Sequence, residues 1–305
     1  MPKLPNFFII GAPKCGTTSL ATWLAGHPSI YLSPIKEPFY FSKDIGNYWP
    51  YGWDAYVRLF NGAGPRHKAI GEASTTYLFS RVAVPSIEEV VPAARYIVMV
   101  RNPVDMAYSL YEQQLRSFNE NVQDFGRAWR LSPERREGLQ VPPGCKDPIL
   151  LDYPAWCRLG EQLERLFSIV THERVLVLVL DDVKENPRRE YLRVLEFLDV
   201  PDDGRQEFPV FNPARAWRSP RIGRVIRALA RFVAKSKHIQ GWLPRRSFGF
   251  VRRLEAWNTQ YRPRPPLPED LRMELEAYFA DDVRKLEELL ERKFPSWRSG
   301  PRVGI

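Results

Sequence analysis

Two glycines five residues apart carry the first chemical signal in this chain. Gly11-Ala12-Pro13-Lys14-Cys15-Gly16 runs into Thr17-Thr18-Ser19, three hydroxyl side chains in a row. A glycine-rich turn entering a helix aims backbone N–H groups at one point and sets the positive end of the helix dipole behind them, which makes an anion cradle. A nucleoside triphosphate loop carries its lysine directly after the second glycine. Here Thr17 holds that place, and Lys14 stands two residues before Gly16. The cradle is kept, and the lysine enters from the other side. A second anion-binding candidate lies about ninety residues on, where Arg101 ends an apolar run and Ser109 follows eight residues later. Arginine offers a planar fork of donors suited to phosphate oxygens.

These side chains need elements to hold them. Phe7-Phe8-Ile9-Ile10 is a short apolar run closed by Gly11, the pattern of a buried strand. Leu20, Trp23 and Leu24 then recur at helical spacing until His27-Pro28, and Ile30-Tyr31-Leu32 reads as a second strand. Strand, glycine turn and helix form a phosphate-binding unit. Tyr96-Ile97-Val98-Met99-Val100 is a further buried strand, and the spacing predicts a helix over 104–115 with Pro103 in its first turn. Val175 to Leu180 reads as the most apolar strand, followed by a polar turn and a helix over 188–198. Apolar strands alternating with helices predict an α/β fold, a P-loop-type parallel sheet flanked by helices on both faces. Ligands of such sheets bind beyond the carboxyl ends of the strands, where Gly11 and Arg101 fall. Residues 116–150 are a polar excursion, and 262–268 a stiff proline-rich linker. A final amphipathic helix over 269–291 presents Leu271, Leu275, Tyr278, Phe279, Val283, Leu286 and Leu290 on one face. We read residues 1–305 as a single domain, with a core over about 5–200 and a covering part over about 201–305.

Pro13-Lys14-Cys15-Gly16-Thr17-Thr18-Ser19-Leu20 resembles the 5′-phosphosulfate loop of sulfotransferases that use 3′-phosphoadenosine 5′-phosphosulfate (PAPS), in the form shared by their heparan sulfate and bacterial branches. The resemblance implies the sulfotransferase fold, PAPS as sulfonate donor and adenosine 3′,5′-bisphosphate (PAP) as product, with no metal. It implies that Lys14, Cys15, Gly16, Thr17, Thr18 and Ser19 hold the 5′-phosphate and sulfonate, with Lys14 catalytic. Val100 to Ser109 is similar to the family's second signature, which implies Arg101 and Ser109 as 3′-phosphate ligands. Lys36-Glu37-Pro38-Phe39-Tyr40-Phe41 matches the segment in which a glutamate before an aromatic pair is the general base, implying that role for Glu37. Gly71-Glu72-Ala73-Ser74-Thr75-Thr76-Tyr77 is similar to a further segment, in which heparan enzymes carry a lysine where Ala73 stands; Glu72 is expected to help orient the acceptor. Asn212, Arg215 and Arg218 lie where bacterial members close over the donor, so Arg218 is expected to add to the 3′-phosphate site.

Composition narrows the alternatives. The net charge of +9 favours an anionic partner without choosing one. Twelve Lys or Arg residues from Arg215 to Arg253 stand with no acidic residue among them. Ile222, Val225, Ile226, Leu229 and Val233 form an apolar helical face opposite part of this set, a pattern suited either to covering the donor or to peripheral docking on an anionic membrane that bears a lipid acceptor. The three cysteines and four histidines have no metal-ligand spacing, so no metal site is expected. Neither a signal-peptide core nor a bilayer-spanning run is expected, which places the protein in the cytoplasm. A nucleic-acid partner is not expected, because no reading module is recognisable. The alternative enzyme is a P-loop kinase using ATP and magnesium, with Asp181 or Asp182 after the last strand as metal ligand. Carbohydrate, lipid and secondary-metabolite hydroxyls, and amines, all stay open as acceptors, as does the oligomeric state.

Overall fold

A computed structural model describes residues 3–46, 52–211, 215–219, 222–226, 253–261 and 265–297. Its centre is a five-stranded parallel sheet in the order β2-β3-β1-β4-β5. The strands are β1 (Phe7–Gly11), β2 (Ile30–Leu32), β3 (Ala69–Ala73), β4 (Arg95–Val100) and β5 (Val175–Val179). β1 is buried along its whole length because β3 and β4 flank it and helices cover both faces. This explains its unbroken apolar sequence. The parallel α/β sheet agrees with the sequence reading, and β1, β2 and β4 fall where expected.

β3 is a strand that periodicity does not announce. It is five residues long and contains Gly71 and Glu72. Gly71 is needed for packing: a Cβ there would lie 2.3 Å from the Phe7 ring. Two other expectations change. Val179 ends β5, and Leu180–Glu185, expected as a strand end and a polar turn, forms helix. Asp181 and Asp182 sit in the first turn of that helix, where carboxylates suit the dipole. The excursion over 116–150 contains two short helices, Phe125–Arg130 and Ser132–Arg136. They close around a fully buried pair, Arg135 and Glu120.

The first four helices are α1 (Thr17–Ala25), α2 (Trp53–Val57), α3 (Ala83–Val90) and α4 (Pro103–Ser117), and α1 and α4 line the cavity described below. Pro103 occupies the start of α4, and Asn102 caps it by accepting from Val104 N at 2.9 Å. The expected C-terminal helix spans Glu269–Leu289. Its Asp282 accepts from Gly160 N at 3.0 Å and Glu161 N at 2.9 Å, fastening it to the start of the Leu159–Phe167 helix. Leu271, Leu275, Phe279, Val283 and Leu286 are buried as expected. Tyr278 instead lies on the flank of that stripe, exposed, where its hydroxyl accepts from Arg158 Nη2 at 2.7 Å.

Past the core, residues 201–211 run along α1. His27 Nε2 pairs with Pro201 O at 2.8 Å, and Trp23 Nε1 donates to Pro209 O at 3.0 Å. A two-stranded antiparallel ribbon follows, Arg215–Trp217 with Thr259–Tyr261. The expected apolar face after it holds only in part. Ile226 is buried, while Ile222 and Val225 are exposed. Leu229, Val233 and most of the basic stretch lie outside the described residues. No described helix is long and apolar enough to cross a membrane.

Candidate active site

The loop after β1 is shaped by Gly16 and Lys14, both in the left-handed region at φ 92° and 65°. At Gly16 a Cβ would meet only the mobile ends of Leu180 (Cδ1 at 2.9 Å) and Met99 (Cε at 3.2 Å), so it is the backbone conformation that calls for glycine. Gly16 also caps α1, and no side chain satisfies the amides of that first turn. Ser19 N turns back to Gly16 O at 3.0 Å, and the amides of Thr17 and Thr18 are left to a ligand or water. From the neighbouring strand, Arg101 reaches back and donates from Nη1 to Lys14 O at 3.2 Å. Asp105 lies one helical turn on, 3.9 Å from its Nη2. Arg101 Nε is buried and has no hydrogen-bond partner among the described residues.

These residues open on one cavity of about 1220 Å³. A pocket for one small ligand typically holds ~300–1,000 Å³, so there is room for a nucleotide and a second molecule. Lys14, Gly16, Thr17, Thr18, Ser19, Arg101, Ser109 and Glu37 all line it. The structure thus brings together residues that span 95 positions of sequence.

Three expected site residues stand differently. Cys15 does not line the cavity; it is fully buried, with its Sγ 3.8 Å from Met106 Sδ. Burial pushes its thiol up to about 12, against the lowering effect of Arg101 and Lys14, so it stays neutral. Only its backbone belongs to the loop. Ser19 lines the cavity, but its hydroxyl is engaged: Phe211 N donates to Ser19 Oγ at 3.0 Å. Arg218 is exposed and is not part of the lining; its backbone N donates to Asn258 O at 2.7 Å in the ribbon. The Arg215 side chain and Asn212 lie outside the described residues.

Glu37 enters the cavity from the loop after β2. Its backbone is left-handed, at φ 59°, and is fixed by a bond from Glu37 N to Ala73 O of 2.8 Å. The carboxylate is ion-paired with Lys36, and Thr75 Oγ1 donates to it at 3.4 Å. Lys36, Thr75 and Thr76 line the cavity as well; the sequence reading gave them no role, although each lies in a segment it drew on. Trp23, Phe208, Val210 and Phe211 form an apolar wall, and Glu112, Gln113, Gln114, Asn119 and Lys146 a polar one. Position alone marks none of these last residues in the sequence. Glu72, expected at the acceptor, is instead fully buried behind Ser74 and outside the lining.

Asp181 and Asp182 do not line the cavity either. Asp181 accepts from Trp297 Nε1 at 3.0 Å, and Asp182 accepts from Arg292 Nη2 at 2.7 Å. Both acids expected to serve a kinase are occupied in fastening the C-terminal segment, and the kinase reading is not favoured.

Comparison with known proteins agrees with this geometry. The family model for the sulfotransferase domain matches residues 4–208. Carbohydrate sulfotransferase 15 of Mus musculus is 27% identical over 279 residues, covering 71% of this chain and 48% of that protein. Bifunctional heparan sulfate N-deacetylase/N-sulfotransferase 4 of Mus musculus is 26% identical over 304 residues, covering 96% of this chain and 31% of that protein. The chain therefore spans less than half the length of these two relatives. Among solved structures, a sulfotransferase from Alicyclobacillus acidocaldarius superposes with a TM-score of 0.70 at 28% identity, covering 97% of this chain and 99% of that one. The chain belongs to the sulfotransferase domain family.

Proposed function

We propose that this protein transfers a sulfonate group from PAPS to a hydroxyl of a carbohydrate acceptor, with Glu37 as general base. The observation that carries the reading is the pairing, in one cavity, of two separate anion-binding clusters with a carboxylate. The loop from Lys14 to Thr18 suits a phosphosulfate, and Arg101 with Ser109 suits a second phosphate on the same nucleotide. A triphosphate would call for only the first. The buried Arg101 Nε, without a hydrogen-bond partner among the described residues, fits such a ligand. The polar wall of Glu112, Gln113, Gln114 and Asn119 suits an acceptor with many hydroxyls, in keeping with the named acceptors of the relatives.

Bound PAPS supplies the sulfonate and a stable leaving group. Glu37 accepts the proton of the acceptor hydroxyl as its oxygen bonds to sulfur, an action typically worth ~10²–10⁴-fold. Lys14 and the loop amides offset the negative charge that grows on the departing oxygen. Thr75 and Lys36 hold the Glu37 carboxylate toward the cavity.

Thermal shift separates the donor readings. PAP should stabilise the protein without magnesium; stabilisation by ATP–magnesium alone would end the proposal. With labelled PAPS and a panel of glycans, lipids and amines, Lys14→Ala and Glu37→Gln should each lower kcat by ~10²-fold or more. Arg101→Ala should chiefly raise KM for PAPS.

A further inference from the structure

Behind Glu37 lies a carboxyl that the proposed mechanism does not use. Glu72, on β3, is fully buried, and neither of its oxygens closes a hydrogen bond of ordinary geometry among the described residues. The hydroxyls of Tyr77, Tyr56 and Ser74 stand near enough to favour its ionised form. Two of those hydroxyls have a second task. Phe39 N donates to Ser74 Oγ at 3.1 Å, and Phe41 N donates to Tyr77 Oη at 3.3 Å. With the bond from Glu37 N to Ala73 O, and that between Ser42 Oγ and Thr76 Oγ1 at 2.8 Å, the loop over 37–42 hangs from the segment that directly follows Glu72.

The loop needs that support. Glu37 and Phe39 both have left-handed backbones, at φ 59° and 55°, a conformation that side-chain-bearing residues adopt only where surroundings impose it. A hydroxyl carries one proton and two lone pairs. When its oxygen accepts from an amide, its own proton needs an acceptor, and an ionised carboxylate is acceptor-only.

We propose that Glu72 is a positioning residue for Glu37: as a carboxylate it takes the hydroxyl protons of Ser74 and Tyr77, turning their oxygens toward the amides of Phe39 and Phe41, and on protonation it releases them. The inference rests on Glu37 being the base. Desolvation raises the Glu72 carboxyl to about 7, so both forms are populated near neutrality. Around it stand Tyr56 from α2, Tyr77 from the turn after β3 and Tyr40 from the loop itself, while β1 contributes Phe8. Burial holds the phenols of Tyr56 and Tyr77 well above their usual range. Farther along the same sheet face, Tyr31 of β2 donates to Leu59 O, and Tyr96 of β4 donates to Glu88, which is paired with Arg174. The charged pair on the loop is Lys36 with Glu37.

The test is the pH profile of acceptor sulfation with PAPS. Wild-type kcat should rise as pH passes about 7 and level off above it. Glu72→Gln should lose that inflection and fall by ~10-fold at pH 8, the scale of a misplaced catalytic group. Its KM for PAPS and its stabilisation by PAP should stay within about twofold of wild type. Ser74→Ala should lower kcat in the same sense, and the Glu72→Gln, Ser74→Ala double variant should be little worse than Glu72→Gln alone. Glu72→Asp should recover part of the inflection. A Glu72→Gln enzyme that keeps both the wild-type rate and the inflection would overturn the inference, as would full additivity with Ser74→Ala. If Glu72→Gln does not fold, judged by circular dichroism, a wild-type rate in Ser74→Ala overturns it instead. Activity retained by Glu37→Gln would refute the base assignment; an inactive Glu37→Gln beside an unaffected Glu72→Gln would refute only the present inference.

Discussion

Glu120 and Glu72 are both sealed from solvent, yet they are held in opposite ways. Glu120 is saturated. It accepts from both ends of the buried Arg135 guanidinium, from Tyr153 Oη at 2.9 Å, and from the amides of Asn121 and Val122 at 2.8 and 2.9 Å. Its charge is cancelled and its lone pairs are used, so it behaves as a fixed strut joining residues 120–122 to Arg135 and Tyr153. Glu72 has no cation beside it and no completed hydrogen bond among the described residues. A buried carboxyl left this way yields its charge before it yields its place. The contrast teaches that burial alone does not distinguish a structural acid from an adjustable one. The supply of donors does.

The comparison can be broken by mutation. Glu120→Gln should have the largest effect, because it strands the buried Arg135 cation. A loss of roughly 3–5 kcal/mol is expected for breaking such a pair, read as a lower urea midpoint with an unchanged slope. Glu72→Gln should act in the other direction at high pH. A folded-state value raised from 4.5 to about 7 means that the native state binds the extra proton between those limits. Stability is then full below about 4.5, falls as pH rises through about 7, and is flat beyond, by on the order of 3 kcal/mol in all. The variant should lose that slope and unfold at higher urea than wild type at pH 8. The smallest effects sharpen the contrast. Tyr153→Phe removes a bond to Glu120 and should cost about 1 kcal/mol. Tyr56→Phe should cost much less, since Tyr56 Oη closes no hydrogen bond of ordinary geometry among the described residues, and, by removing a hydroxyl that favours the ionised form, it should move the Glu72 slope to higher pH.

Local chemistry made part of this legible beforehand. The β1 run, the displaced Lys14, and the Arg101–Ser109 pair are contiguous patterns, and the structure sets them around one cavity. Glu37 could be singled out because it lies within a recognisable segment, and it lines the same cavity. What sequence could not reveal depends on which neighbours arrive from far away. β3 was hidden because its glycine and acid are explained only by Phe7 and the loop over 37–42. Cys15 sits among loop residues that face the cavity, but its own side chain turns inward to Met106. Ser19 was read as a ligand, and only the return of the chain at Phe211 gives its hydroxyl another partner. Arg218 was placed by motif order, and it is not among the described residues that line the cavity.

The segment from Pro201 to Phe211 has a further consequence for modular exchange among such proteins. Three side chains of α1 and its end, His27, Trp23 and Ser19, fasten it at Pro201, Pro209 and Phe211. Each bond is made to its backbone. Its path is therefore prescribed in part by α1, and its own side chains add further ties: Asp202 pairs with Arg188, Asp203 accepts from Tyr191 Oη at 3.2 Å, and Phe208 packs on Trp23. Helix and segment form one interchangeable cassette. A chimera that swaps the segment keeps these three anchors whatever its sequence, but one that swaps α1 without retaining those three side chains removes them from one wall of the cavity.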